Sequence, residues 1–324
     1  MKTPKNAFLL QGYHSKQYFC DRKDELALLK THRENERNIV LFSWRRLGKS
    51  ALIQRFIKEE ERNKNLEAIY VDLMATTSIK EAIELIIKAV YNKYGRAKSG
   101  ISAGFQHLMG SLGLGMKFDS LTGLPSFSLT LNRASSSSDS LTSIGEFLNS
   151  RKKQVVIAID EFQQICNYEE NAEATFRSFM QQFPMIRFIF SGSHRQMMTA
   201  MFSESKRPFY KSCSLISLEP IPLESYSPFI QQQFKKINKK ISAELIQSIY
   251  KWARGQTYAV QLVCNRFYGS NLSLTVASFD QIKRDIIQEE APIFVNYFNL
   301  LTKLQWKVIS AIAKEQEVQK PQSQ

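Results

Sequence analysis

The run Ile39-Val40-Leu41-Phe42 is apolar and rich in β-branched residues, and it stops abruptly at Ser43-Trp44-Arg45-Arg46-Leu47-Gly48-Lys49-Ser50. A helical pattern follows over 51–61. A buried strand, a short polar loop closing on Gly-Lys-Ser and a helix form the phosphate-cradling P-loop unit. Backbone N–H groups and the positive end of the helix hold phosphate oxygens there. In that unit Lys49 neutralises phosphate charge and the Ser50 hydroxyl ligates Mg²⁺. One position departs from G-x-x-x-x-G-K-[ST]: Ser43 stands where the first glycine belongs. Serine has less backbone freedom than glycine, so the turn is expected either to be built differently or to hold phosphate less well.

A second run, Gln154-Val155-Val156-Ile157-Ala158-Ile159-Asp160-Glu161-Phe162, is almost continuously apolar and ends in two carboxylates. Such runs suit a central parallel strand covered on both faces. Ligands of open α/β sheets bind at the carboxyl ends of the strands, which is where Asp160 and Glu161 fall. Asp160 is the expected Mg²⁺ residue and Glu161 the residue that polarises attacking water. Ser191-Gly192-Ser193 closes a further strand over 187–190, offering a hydroxyl toward the γ-phosphate, with Ser191 the candidate. Arg207 is a candidate arginine finger. His14, His32, His107 and His194 have no ligand spacing.

Other strands are expected over 68–73 and 214–218. Helices are expected from Asp21, as N-cap, to about 35 with Leu26, Leu28 and Leu29 buried, and over 78–94, 141–149, 172–182 and 196–201. Glycine and serine concentrate over 95–138, which reads as a partly mobile insertion with a hairpin of 116–118 and 126–131 across Leu121-Thr122-Gly123. After 220 the strands cease, and 223–235, 243–253, 258–267, 279–290 and 301–313 read as helices. No apolar run reaches about 18 residues, so no membrane span is indicated. The chain has four scattered cysteines and a net charge of +14. The first suits a reducing cytoplasm; the second favours polyanionic partners. Residues 235–240 hold a dense lysine run that serves equally as a solvated face.

Together these stretches resemble the AAA-like P-loop ATPases of the archaeal/bacterial ATPase group, near the STAND class and more distantly the origin-recognition ATPases. Phe19-Cys20-Asp21-Arg22 is similar to the family's segment beside the adenine pocket, which gives Arg22 a nucleotide-binding role. Phe42 to Ser50 is similar to its P-loop, with Ser43, Trp44, Arg45, Arg46, Leu47, Gly48, Lys49, Ser50 and Ala51 as nucleotide contacts. Ile159-Asp160-Glu161-Phe162-Gln163 resembles its Walker B segment. Gly255-Gln256-Thr257-Tyr258 lies at the family's lid turn, with Thr257 in place of proline.

The resemblance implies an α/β fold with a parallel sheet of order 5-1-4-3-2, and a P-loop domain over 1–220. A helical lid over 221–290 and the start of a truncated winged helix over 291–324 would follow. It implies ATP and Mg²⁺ as cofactors and a cytoplasmic ATPase acting as a conformational switch. The alternative is a nucleotide-binding scaffold of little turnover that holds DNA or a protein partner. A small-molecule kinase is disfavoured, because no second substrate site is legible.

Overall fold

The computed structural model describes residues 3–64, 66–97, 100–118, 125–129, 136–169 and 171–315. After a single 3₁₀ turn, α1 (Lys23–Glu34), β1 (Ile39–Phe42), α2 (Lys49–Arg62), β2 (Leu66–Asp72) and α3 (Ile79–Val90) follow in order. Next come β3 (Arg96–Ala97), β4 (Gly100–Ile101), α4 (Ala103–Leu112), β5 (Leu114–Phe118), β6 (Pro125–Leu129) and α5 (Ser137–Asn149). The sheet then resumes with β7 (Gln154–Asp160), α6 (Ala172–Gln182), β8 (Arg187–Gly192), α7 (Arg195–Ser203) and β9 (Ser214–Ser217). The last helices are α8 (Leu223–Lys235), α9 (Ala243–Trp252), α10 (Thr257–Gly269), α11 (Val276–Leu300) and α12 (Lys303–Glu315).

Five strands form one parallel sheet in the order β2-β7-β8-β1-β9. Numbered along the chain, that is the expected 5-1-4-3-2. The P-loop strand β1 and the carboxylate strand β7 are separated by β8 alone. Every residue of β8 is buried, as is all of β7 but its first residue, because helices cover both faces. Side-chain alternation divides the strands cleanly. Val40, Ile157, Ile159, Phe188 and Phe190 enter one core, over which α3 to α7 pack. Leu41, Val156, Ala158 and Ile189 enter the other, with Leu29 of α1 and Leu52, Ile53 and Phe56 of α2. A third core joins α8 to α11, and Phe8 from the N-terminal segment is inserted into it.

Several expectations need correction. Asp21 does not cap α1. It has φ 52°, and Arg22, with φ 68°, holds the cap position without a side-chain bond. Leu28 is exposed while Leu29 is fully buried, since α1 offers the sheet only a narrow stripe. Within 95–138, α4 buries Phe105, Leu108 and Leu112 in the first core, so this part of the insertion belongs to the packed domain. The β5–β6 hairpin is present, whereas its expected turn at Leu121-Thr122-Gly123 lies outside the described residues. The helix expected over 279–290 starts at Val276 and runs through Pro292 to Leu300.

Phe162 sits fully buried where the first core meets the end of β7, its ring 4.2 Å from that of Phe190 and 5.4 Å from that of Phe209. Phe162→Ala is expected to cost about 3–5 kcal/mol. Guanidinium unfolding checks this: the midpoint falls with little change in slope, and an unchanged midpoint would contradict the packing described.

Candidate functional site

The carboxyl ends of β1, β7 and β8 meet at one edge. Across β1 and β8, Phe42 is opposite Gly192; across β2 and β7, Asp72 is opposite Asp160. From this edge Ser43 to Gly48 turn into α2. Gly48 takes φ 96° and Arg46 φ 65°, so the bend puts its left-handed conformations there. Ser43 is not among the residues with positive φ, so a serine fits the first position without strain. Its hydroxyl has a use: Ser43 Oγ donates to Trp44 O at 2.8 Å and accepts from Lys49 Nζ at 3.1 Å.

The start of α2 carries no side-chain cap and no acidic residue in its first turn. The first N–H groups of a helix have no partner within it, and here they face open space. Gly48, Lys49, Ser50 and Ala51 line a cavity of about 430 Å³, within the range of ligand pockets. Lys49 is buried, and Nζ also donates to Trp44 O at 3.3 Å. Burial pulls its pKa down, opposed by Glu161 and Asp160. The ammonium is therefore held desolvated within the field of both carboxylates.

Asp160 Oδ2 accepts from Ser50 Oγ at 2.5 Å and from Tyr70 OH at 2.6 Å, and Oδ1 accepts from the Glu161 N–H at 3.0 Å. Burial and the Asp160 charge raise the Tyr70 pKa, keeping its hydroxyl a donor. Glu161 leaves the strand with φ 52°. Its carboxylate accepts from Ser193 Oγ at 2.6 Å and from Gln163 Nε2 at 2.5 Å. Gly192 allows this approach. A Cβ there would come within 2.4 Å of Gln163 Oε1 and 2.5 Å of Met198.

The far end of the cavity is less polar. Leu9, Leu10, Phe19 and Ile221 line it, with Thr257, Tyr258 and Gln261 of α10. Burial pushes the Cys20 thiol up to about 12, so it stays neutral there. Arg22 is buried between Glu25, at 2.6 Å, and Leu47 O, at 3.2 Å. The first turn of α10 reaches the P-loop directly. Tyr258 N donates to Arg46 O at 3.2 Å, Thr257 Oγ1 lies 3.4 Å from Leu47 O, and the Arg46 guanidinium lies 4.3 Å from the Tyr258 ring centroid.

Arg22, Arg45, Arg46, Leu47, Gly48, Lys49, Ser50, Ala51 and Glu161 therefore line one cavity, with Asp160 and Ser43 buried directly behind it. Three of the expected residues stand apart. Arg207 does not line the cavity; it pairs with Glu173 at 2.7 Å and bonds Cys166 Sγ. Ser191 is fully buried and its Oγ has no partner; Ser193 is the hydroxyl that meets Glu161. Trp44 points away, to a second cavity. Tyr70, Gln163 and the segment 9–12 were not foreseen. Gln163 had a signal, two positions beyond Glu161, but Tyr70 reads as an ordinary strand residue. His194 Nδ1 accepts from Met197 N and caps α7, a structural role. Among the described residues no His/Cys/Asp/Glu group could hold a metal by itself, and no helix is long and apolar enough to cross a membrane.

A family model described as an ATPase domain, predominantly from Archaea, matches residues 19–263. The chain belongs to this family. No curated protein matches it. Among solved structures it is similar to a Walker-type ATPase of Pyrococcus abyssi, with TM-score 0.65 and 16% identity over 94% of this chain and 81% of that one. It is also similar to the ORC1 protein of Aeropyrum pernix in complex with DNA, with TM-score 0.59 and 10% identity over 96% and 76%. The ORC2 protein of Aeropyrum pernix, in ADPNP–ADP complexes, follows with TM-score 0.57 and 13% identity over 88% and 71%. At these identities the likeness speaks for the fold.

Asp72 offers a test of the local field. Burial raises its pKa, the Met74 N–H partly opposes that, and Asp160 and Glu161 raise it further. A raised folded value means stability that is full below the unfolded value and lost as pH rises through the folded one. Asp72→Asn keeps an acceptor for the Met74 N–H, which lies 2.9 Å from Oδ1. The variant should melt higher than wild type at neutral pH, with the gap closing as pH falls to about 4. Thermal unfolding at both pH values decides it, and an equal gap at both would remove the electrostatic cause.

Proposed function

We propose that this member of the ATPase domain family binds ATP in the α2–β7 cleft and hydrolyses it in a Mg²⁺-dependent reaction. Nucleotide occupancy would be transmitted to the helices after residue 220, which act as a lid over a P-loop domain of residues 1–220. The carrying observation is the uncapped start of α2 with buried Lys49 beneath it, facing Asp160 and Glu161. The first-turn N–H groups and the Lys49 ammonium hold phosphate oxygens. The apolar walls at Leu9, Phe19 and Ile221 receive the base.

The donor set suits Mg²⁺. Ser50 Oγ and Asp160 Oδ2 are hard oxygens on adjoining elements, and this ion takes one or two carboxylates with substrate phosphates. When bound, the ion neutralises charge on the phosphates. Tyr70 fixes the Asp160 carboxylate. Glu161 orients water and accepts its proton, and Ser193 sets the direction of the carboxylate. The Arg46–Tyr258 and Leu47–Thr257 contacts connect P-loop movement to α10. Helix α12 is read as part of a winged-helix-like module, and the four free thiols suit a reducing cytoplasm.

One observation favours the second reading, a nucleotide-dependent scaffold of slow turnover for DNA or a protein. Each oxygen of Glu161 already accepts one bond from within the chain, from Ser193 and from Gln163, so water competes with them for the carboxylate and only the remaining lone pairs are open to it.

Lys49→Ala should weaken ATP binding by about tenfold or more, the loss of a charged hydrogen-bond donor. Glu161→Gln should keep ATP affinity and lower turnover by about a hundredfold or more. Equilibrium binding and steady-state phosphate release measure the two. Undiminished affinity in Lys49→Ala would remove the cleft as the nucleotide site. Undiminished turnover in Glu161→Gln would remove Glu161 as the residue that activates water.

A further inference from the structure

Trp44 is 64% exposed, the first of three exposed residues, Trp44 to Arg46, between buried Ser43 and buried Leu47 of the phosphate-binding turn. Its indole faces a second cavity of about 660 Å³, which shares only Arg45 and Ser193 with the nucleotide cleft. Side-chain amides dominate the rest of the wall: Gln163, Gln164, Asn167 and Gln256. No carboxylate is present among the described lining residues. The Arg195 guanidinium lies 5.6 Å from the Trp44 ring centroid and 5.9 Å from that of Phe42. Its acidic neighbour, Glu219, is 3.8 Å away and largely exposed.

We infer that this cavity binds an unpaired stretch of nucleic acid, with one base stacked on Trp44. Four features point to that chemistry. An exposed indole is a stacking platform for any base. Amides carry both a donor and an acceptor, as the edge of a base does. Arg195 lies against the ring and Arg45 lines the cavity, so two guanidiniums are at hand for the phosphates next to the stacked base. The chain's net charge of +14 draws a polyanion toward them. A cationic protein segment would meet Arg45 in the wall, Arg195 beside Trp44 and no acid among the described lining residues, so a basic peptide is the poorer occupant. The site is distinct from the ATP cleft and holds whether or not that cleft turns over nucleotide.

The test uses the full chain without added nucleotide, with labelled oligothymidylate and oligouridylate of about ten residues, a length typical of single-strand sites. Anisotropy and intrinsic tryptophan fluorescence are both recorded. Wild type binds at low salt, weakens as salt rises and loses tryptophan emission. Trp44→Phe keeps most of the affinity, because a ring remains, but loses most of the quench, since Trp252 and Trp306 do not contribute. Trp44→Ala weakens binding by about tenfold, the size of one base–aromatic stack. Arg195→Ala weakens it and reduces the salt slope by about one. The two oligonucleotides show whether DNA or RNA is preferred. Absence of binding by both overturns the inference and leaves the cavity to a protein. So does binding that Trp44→Ala leaves unchanged, or binding lost only in the Lys235→Gln, Lys236→Gln double variant. ATP affinity, measured in parallel, reports on the nucleotide cleft separately.

Discussion

The organising interaction is the meeting of a buried ammonium with an uncapped helix start. Lys49 is placed where water cannot solvate it, and its hydrogen bonds within the chain go to one hydroxyl and one carbonyl of its own turn. The first N–H groups of α2 have no side-chain acceptor. Both features are costs that an anion placed there would relieve. A serine or aspartate cap would have stabilised the helix by about 1 kcal/mol and closed the site. Stability is thus forgone at the point where binding needs it.

That arrangement works only because the sheet holds its counterpart at a fixed distance. β8 lies between β1 and β7 and is wholly buried, so the two outer strands move together. The Ser50–Asp160 hydrogen bond then spans the gap between helix start and carboxylate strand. Tyr70, from the edge strand β2, supports Asp160 from the other side. The oxygens that suit a metal are consequently set by three elements, α2, β7 and β2, all packed into the core on the α1–α2 face of the sheet.

The sheet was legible because alternation and length both spoke. Five parallel strands, their order and the residues of the phosphate turn all follow from β-branched runs, a glycine-lysine-serine closure and the resemblance these carry. What escaped was decided by tertiary contact. Nothing local distinguishes Tyr70 from any half-buried strand aromatic; its role depends on which strand lies next to β2. Arg207 looked available as a free cation, yet Glu173, in the first turn of α6, takes it. Ser191 and Ser193 are equivalent in sequence, but Ser191 lies within β8 and is fully buried, whereas Ser193 follows the strand's last residue and meets Glu161. The segment 9–12 gave no periodic signal. Phe8, buried among the rings of Phe229, Phe234 and Tyr268, brings it across the cleft, helped by the Asn265 bonds with Asn6 and Phe8 O. The serine at the first glycine position looked like a weakness and is a hydrogen-bond partner of Lys49.

Glu161 concentrates the tension between holding and reacting. A non-glycine residue at φ 52° costs about 1–3 kcal/mol, and the bonds from Ser193 and Gln163 keep it there. Removing Gly192's freedom would push Gln163 aside, so the conformation is built into β8 as well as β7. Gln163 also forms part of the wall beside Trp44, which makes the same amide a neighbour of both cavities. Movement of that amide in either direction changes how firmly the Glu161 carboxylate is bound. The direction of the Glu161 carboxylate is therefore set less by the acid itself than by the two neutral side chains that each donate to one of its oxygens.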